Sequence, residues 1–230
     1  MRVNDLLDLL LPRYCLVCGK AVFEKYERFW CITCNADMPL FVFSIGLMSP
    51  IVKTFWGRCE VKYGGSFLLY ESGSLYSNIL KEIKYRDRPD LGVYMGRLYG
   101  HRLVKYHPRE LAKIDLILPV PMTKKKRKSR GYNQAECIAK GLELATGISV
   151  ETSILKRIKD RDSQTRKSKF ERWLNAKSVY ECGELPSGVK HIAIIDDVVT
   201  TGATVEACIE AVQKVNRVTV SVFSLGFTST

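Results

Sequence analysis

Histidine is scarce in this chain, three in 230 residues. His101, His107 and His191 stand apart from one another. Each reads as an ordinary helix-surface or strand-edge residue, and none is an obvious general base. Long apolar runs are also lacking. The longest, Met38 to Val52, falls short of the roughly 20 residues that span a bilayer and is broken by Pro39 and Pro50. No transmembrane segment is expected. The opening MRVNDLLDLLLPRYC is leucine-rich, but Asp5 and Asp8 interrupt it and no small-residue cleavage site follows. A short amphipathic helix packed on the protein is expected there, with a membrane-surface role as the alternative. Acids are outnumbered, 24 Asp and Glu against 36 Lys and Arg, for a formal net charge of +12. Neither the Gly-Lys-Ser/Thr of a P-loop nor a GxGxxG turn occurs, which excludes those two nucleotide-binding designs.

What the chain does hold is enough apolar material for a core. With 46% hydrophobic residues it can build one α/β domain of ordinary size plus a small module. We divide it into a module at 1–50 and a body at 51–230. Near the end lies IAIIDDVVTTGAT, from Ile192 to Thr204. The run Ile192-Ala193-Ile194-Ile195 predicts a strand buried on both faces, as in a parallel sheet covered by helices. After Gly202, the residues Val205, Cys208, Ile209, Val212 and Val215 recur at helical spacing, so a helix is predicted from Ala203 or Thr204. The polar residues then sit at the strand's carboxyl end, where open parallel sheets bind ligands.

The loop chemistry narrows that ligand. Thr200, Thr201, Gly202, Ala203 and Thr204 supply small side chains, hydroxyls and a row of N–H groups at a helix start, a setting that favours phosphate. Asp196 and Asp197 repel bare phosphate, but they accept hydrogen bonds from sugar hydroxyls or hold a hydrated magnesium ion. A ribose 5-phosphate satisfies both halves.

Cysteine is plentiful, eight residues. Cys15-Leu-Val-Cys18 and Cys31-Ile-Thr-Cys34 are two CxxC knuckles, a spacing that brings four thiolates round one zinc ion and leaves no ligand position open, so the metal is expected to be structural. The alternative, disulfides or a redox pair, lacks a secretory or thioredoxin-like setting. Cys59, Cys137, Cys182 and Cys208 are scattered and read as buried or incidental.

Between these ends, Phe67–Tyr70 is predicted as a strand, Ser77–Tyr85 and Leu91–Lys105 as helices, and Leu116–Leu118 as a short buried strand running into Pro119-Val120-Pro121-Met122. A basic turn follows, from Lys124 to Arg130, then Gly131-Tyr132 and a helix. Asn133 caps that helix, with Glu136 three residues on, and Gly147 ends it. This makes a second anion-binding corner at the end of a neighbouring strand. From Val120 to Arg172 there are 15 Lys and Arg against 6 Asp and Glu. The part from Lys156 to Arg172 has no clear period and is expected to be a mobile loop.

The Asp196-to-Thr204 stretch, with Val198 and Val199 inside it, resembles the phosphoribosyl diphosphate (PRPP) signature of the type I phosphoribosyltransferases. The chain as a whole is similar to the competence-linked ComF family. The likeness runs through Cys15, Cys18, Cys31 and Cys34, through Lys84-Tyr85-Arg86, and through Pro119-Val-Pro121 with Arg130-Gly131-Tyr132-Asn133-Gln134-Ala135. It continues with Gln164, Arg172 and Asn175 and ends in the acid–threonine signature. Asp87 departs from it, since glycine is expected after Lys-Tyr-Arg.

The resemblance implies a type I phosphoribosyltransferase-like parallel sheet flanked by helices, with a small four-cysteine zinc module. It implies PRPP bound with magnesium: Asp196 and Asp197 on the ribose hydroxyls, Thr200–Thr204 on the 5-phosphate, Pro121, Met122, Arg130, Gly131 and Tyr132 toward the diphosphate. Gln164, Arg172 and Asn175 belong to the closing loop. It further implies a cytoplasmic protein that handles single-stranded DNA during DNA uptake, with DNA-translocation machinery at the inner face of the membrane as a partner. The acceptor base is not implied. A non-catalytic PRPP sensor that binds single-stranded DNA is the alternative to a transferase.

Overall fold

The run Ile192–Ile195 lies in the middle of a parallel sheet. The computed structural model describes residues 13–22, 29–42, 45–158 and 179–228. In chain order these form β1 (Arg13–Tyr14), β2 (Ala21–Val22), α1 (Ile32–Ala36), α2 (Pro50–Thr54), β3 (Gly64–Leu69), α3 (Ser77–Tyr85), α4 (Pro89–Tyr106) and α5 (Pro108–Leu111). Then come β4 (Leu116–Pro119), α6 (Lys124–Arg130), α7 (Gln134–Thr146), β5 (Leu155–Arg157), β6 (Tyr180–Cys182), β7 (His191–Val199), α8 (Ala203–Gln213) and β8 (Thr219–Phe227). The main sheet has the order β3-β8-β7-β4, all parallel, with Ile194 opposite both Leu118 and Val222.

Alternation along β7 explains why four apolar residues follow one another. Ala193 and Ile195 join Phe223 and Leu225 on one face, beneath Ile83, Leu91, Met95 and Ile138 of α3, α4 and α7. Ile192 and Ile194 join Val220 and Val222 on the other, beneath Ile51, Phe55, Val205, Ile209 and Val212. Burying each large apolar side chain contributes about 1.5–3 kcal/mol, so both faces need cover and both have it.

Strand β8 has no counterpart among the sequence expectations, yet it is a central strand. Its serines are the reason it is easy to miss. Ser221 and Ser224 look like loop residues but are fully buried and hydrogen-bonded, Ser221 Oγ to His191 Nε2 at 2.7 Å and Ser224 Oγ to Ser66 Oγ at 3.2 Å. His191 is thereby corrected from an edge residue to a buried one, stacked on Tyr63 with ring centroids 5.7 Å apart. Burial lowers its pKa.

The basic stretch expected as a turn is also different: Lys124–Arg130 is a helix. Thr123 Oγ1 accepts from Lys126 N at 3.1 Å, an N-cap, and Lys and Arg are good helix formers. Asn133 caps α7 as expected, its Oδ1 accepting from Ala135 N at 3.1 Å, and Gly147 ends it. Helices α4 and α7 touch backbone to backbone. A Cβ on Gly96 would lie 2.1 Å from Ile138 O, and one on Gly141 would lie 2.1 Å from Val93 O. Lys156 and Arg157, assigned from sequence to a loop, pair in β5 with β6.

The cysteine segment rests on α4. Phe29 and Trp30 pack edge-on against Tyr94 at centroid separations of 4.9 and 5.6 Å, and Tyr76 donates its hydroxyl to Cys34 O at 2.9 Å. Beyond it, Leu40 pairs antiparallel with Leu68 and covers the outer edge of β3.

Candidate functional site

Strand β4 stops at Pro119, opposite Ile195, while β7 runs on to Val199 beside β8. The end of β7 therefore stands clear on its β4 side, and Asp196 and Asp197 are its first residues past that stop. They are part of the strand rather than a cap beyond it. Asp197 N donates to Asp196 Oδ1 at 2.8 Å, and Asp197 Oδ2 lies 3.1 Å from Lys84 Nζ at the end of α3. Burial, then the charge of Asp197, pushes the Asp196 carboxyl up to about 8; the Asp197 N–H and Lys84 pull the other way. A carboxyl in this state changes charge near neutrality, which is the condition for coupling ligand binding to a proton.

The loop Thr200–Gly202 then turns into α8 where the sequence predicts. Gly202 holds φ +76, the left-handed region, and a Cβ there would come within 2.8 Å of the Phe55 ring. Glycine is required on both counts. Arg58 clamps the loop from below, donating to Thr201 O at 2.9 Å and to Thr54 O, and pairing with Glu206 Oε2 at 2.6 Å. The first-turn N–H groups of α8 have no partner within the helix, so this end carries partial positive charge.

The second corner divides in two. Arg130, Gly131 and Tyr132 line a cleft of about 680 Å³ together with Lys84, Tyr85 and Lys126. Pro121 and Met122 line a different groove, of about 640 Å³, with Lys124, Arg127 and Lys156. Helix α6 lies between, sending Lys126 and Arg130 to one side and Lys124 and Arg127 to the other. The first cleft reaches the acids through Lys84. Tyr132 shapes it by bridging two backbones, its hydroxyl donating to Ile83 O at 2.5 Å and accepting from Arg88 N at 3.1 Å. Asp87, the departure noted in the sequence, holds φ +52, a left-handed position where glycine sits without strain. Gln164, Arg172 and Asn175 lie outside the described residues.

Two residues of this site, Lys84 and Arg58, were not assigned a role from sequence. Lys84 had a signal, its place in the Lys-Tyr-Arg stretch. Arg58 had none, because nothing in its neighbourhood marks it as facing Thr201.

The four cysteines are brought together. Their Sγ atoms all lie within 4.8 Å of one another, with Cys18 and Cys31 at 3.9 Å. A tetrahedral site with metal–sulfur bonds of about 2.3 Å needs sulfurs about 3.8 Å apart, so the cluster fits one metal ion. Burial raises the Cys15 thiol, but backbone N–H groups of Cys18, Cys31 and Val17 outweigh it and bring the pKa down to about 7. Cys34 is pushed up by burial and by its neighbours. Cys59, Cys137 and Cys182 are half-buried and Cys208 is buried, all unpaired with one another.

Open parallel sheets bind ligands at the carboxyl ends of their strands, and here that end carries the acid pair and the start of α8. The chain is 27% identical over 150 residues to the DNA utilization protein YhgH of Salmonella typhi, a match that covers 65% of this chain and 66% of that one. It is 30% identical over 115 residues to competence protein F of Haemophilus influenzae, 48% of this chain and 49% of that one. It is 27% identical over 177 residues to competence protein ComFC of Bacillus subtilis, 73% and 70%. The chain is thus similar to competence proteins and to a DNA utilization protein. The match to YhgH spans just under two thirds of that protein's length. No family model matches the chain. An adenine phosphoribosyltransferase crystal structure overlaps 66% of this chain and 75% of its own at 15% identity and a TM-score of 0.36, too loose a fit to argue from. Among the described residues, no helix is long and apolar enough to cross a membrane.

Proposed function

We propose that this protein binds PRPP with magnesium at the carboxyl end of β7 and serves, as a phosphoribosyltransferase-like protein, in handling single-stranded DNA during DNA uptake. The observation that carries the reading is the run from Asp196 to Thr204, with two adjacent carboxylates followed at once by a hydroxyl-bearing loop that opens α8. In this reading Asp196 and Asp197 accept from the ribose hydroxyls. Thr200 to Thr204 take the 5-phosphate. Lys84, Arg130 and Gly131 face the diphosphate, with Tyr132 shaping their cleft, Pro121 and Met122 beside it, and Gln164, Arg172 and Asn175 closing over it.

Carboxylate oxygens suit magnesium, which when bound neutralises charge on the diphosphate. Transfer breaks the C1–O bond of the ribose, the diphosphate keeping the bonding pair, and positive charge develops at C1. The side chains contribute by positioning and by stabilising the departing negative charge. The four cysteines would hold zinc, structural because four protein ligands leave no open position.

The DNA half of the reading is supported by the names of the relatives, two competence proteins and a DNA utilization protein. A cytoplasmic place, peripheral to the inner membrane beside translocation machinery, belongs to the same proposal, as does the division into a module at 1–50 and a body at 51–230. Calorimetry with PRPP and magnesium, followed by a product assay with a panel of bases, tests it. Tight PRPP binding with diphosphate release identifies a transferase, and binding without release identifies a sensor. Affinity no better than that for inorganic phosphate would sink both.

A further inference from the structure

The cleft beside the acids holds more than a diphosphate needs. Its volume of about 680 Å³ is that of a site for a whole nucleotide. Three of its lining residues are cations, Lys84, Lys126 and Arg130, against the single acid Asp87. Among the described residues neither Lys126 nor Arg130 pairs with a carboxylate. Tyr85 lines the same cleft, 70% exposed, with the Arg130 guanidinium 5.2 Å from its ring centroid. An aromatic ring left in water beside unpaired cations has the composition of a single-strand seat, where phosphates meet the charges and a base stacks on the ring. A duplex keeps its base faces covered and cannot use such a ring.

We propose that this cleft seats a nucleotide of single-stranded DNA, its base on Tyr85 and its phosphates on Lys126 and Arg130. DNA and PRPP then exclude each other, because Arg130 serves both and Lys84, which faces the diphosphate, lines the same cleft. The exclusion rests on the PRPP reading above, whereas the seat itself does not. A strand in the cleft blocks the diphosphate corner, and a bound PRPP removes the strand's cations.

Anisotropy of a labelled oligo-dT strand on the full chain tests this, with PRPP binding measured separately by calorimetry. Tyr85→Ala is expected to weaken DNA binding about tenfold, the loss of one stacked base, with Tyr85→Phe restoring it and a duplex of the same length binding no better to wild type than to Tyr85→Ala. PRPP with magnesium is expected to raise the apparent Kd for DNA in proportion to its own occupancy. If PRPP binds by calorimetry and DNA affinity does not change, the shared cleft is overturned and the PRPP reading stands. If PRPP does not bind at all, the PRPP reading and the exclusion both fall, and the DNA seat is then upheld or overturned by Tyr85→Ala alone.

Discussion

The ammonium of Lys84 lies 3.1 Å from Oδ2 of Asp197, joining the last turn of α3 to the free end of β7. The pair is partly solvated, with side chains 26% and 17% exposed, so it is neither a screened surface bridge nor a sealed one. Lys84 also lines the cleft of Arg130, and its position makes it the link between the acids and the cations. Lys84→Ala is expected to reduce PRPP affinity about tenfold, since a charge-assisted contact is worth about 1.5–3 kcal/mol. Calorimetry giving wild-type affinity would mean that Lys84 serves Asp197 alone.

Binding should also depend on pH, through Asp196. Its carboxyl is protonated below about 8, while ribose hydroxyls and magnesium-bound water need the anion. PRPP affinity is therefore expected to rise from pH 6 to about 8 and then level off, with a proton released on binding. Titration at pH 7 in two buffers of different ionisation enthalpy reads that proton directly, and Asp196→Asn should abolish it.

The same group affects stability. Folded Asp196 loses its proton near 8, whereas an unfolded aspartate loses it near about 3.9. Between those values the unfolded chain is the more readily ionised, so stability falls as pH rises through the window and is lowest above it. Asp196→Asn keeps an oxygen for the Asp197 N–H and removes this cost. It is expected to melt above wild type at pH 8 and level with it at pH 4. Equal melting at both pH values would refute the raised pKa.

Gly202→Val should remove the phosphate half of the site. The new Cβ meets the Phe55 ring at 2.8 Å in a left-handed residue, and the branched side chain crowds the N–H groups that phosphate must approach. Ribose 5-phosphate affinity is expected to fall about tenfold or more, while Asp196→Asn with Asp197→Asn leaves the phosphate loop intact. Retention of ribose 5-phosphate by the valine variant, with a native-like melt, would place the phosphate elsewhere.

Gly96→Ala tests the helix contact. One methyl group placed 2.1 Å from Ile138 O forces α4 and α7 apart, and overpacking of this kind costs about 3 kcal/mol. Urea unfolding should show a lower midpoint with an unchanged slope. A midpoint equal to wild type would contradict the backbone contact.

Metal content tests the cysteine cluster. Elemental analysis should find one zinc per chain, lost in Cys34→Ser, and chelation should lower the melting temperature because Cys15 and Cys34 are in the core that holds Trp30. Four freely titratable thiols in the folded protein would exclude the site.

Much of this architecture was legible before any fold was known, wherever the information was local. The buried strand from Ile192, the helix start after Gly202, the cap at Asn133 and the cysteine spacing each need only a dozen neighbouring residues to be read. Lys124–Arg130 was misread because a helix that is polar all round has no periodic apolar stripe; its only sign was the Thr123 cap. Strand β8 was missed because buried serines break the apolar run, and their hydrogen bonds come from His191 and Ser66, far away in the chain. Gly92, Gly96 and Gly100 do recur at helical spacing, a readable sign of close helix packing, but the residues they meet on α7, Cys137, Ile138 and Ala145, are not readable.

The amino-acid order alone settled which residues are chemically able to act: a strand ending in two carboxylates, a threonine loop with one obligatory glycine, four thiols in two pairs. Backbone dihedral preferences and side-chain periodicity are short-range, and a linear chain displays them. Folding settled which of those groups meet. It brought Lys84 to Asp197 and Arg58 beneath Thr201, put the cleft of Arg130 and the groove of Pro121 on opposite sides of α6, and buried Asp196 enough to hold its proton. Charge interactions and desolvation depend on distance through space and on the surrounding medium, and neither quantity exists until the sheet and its helices have packed.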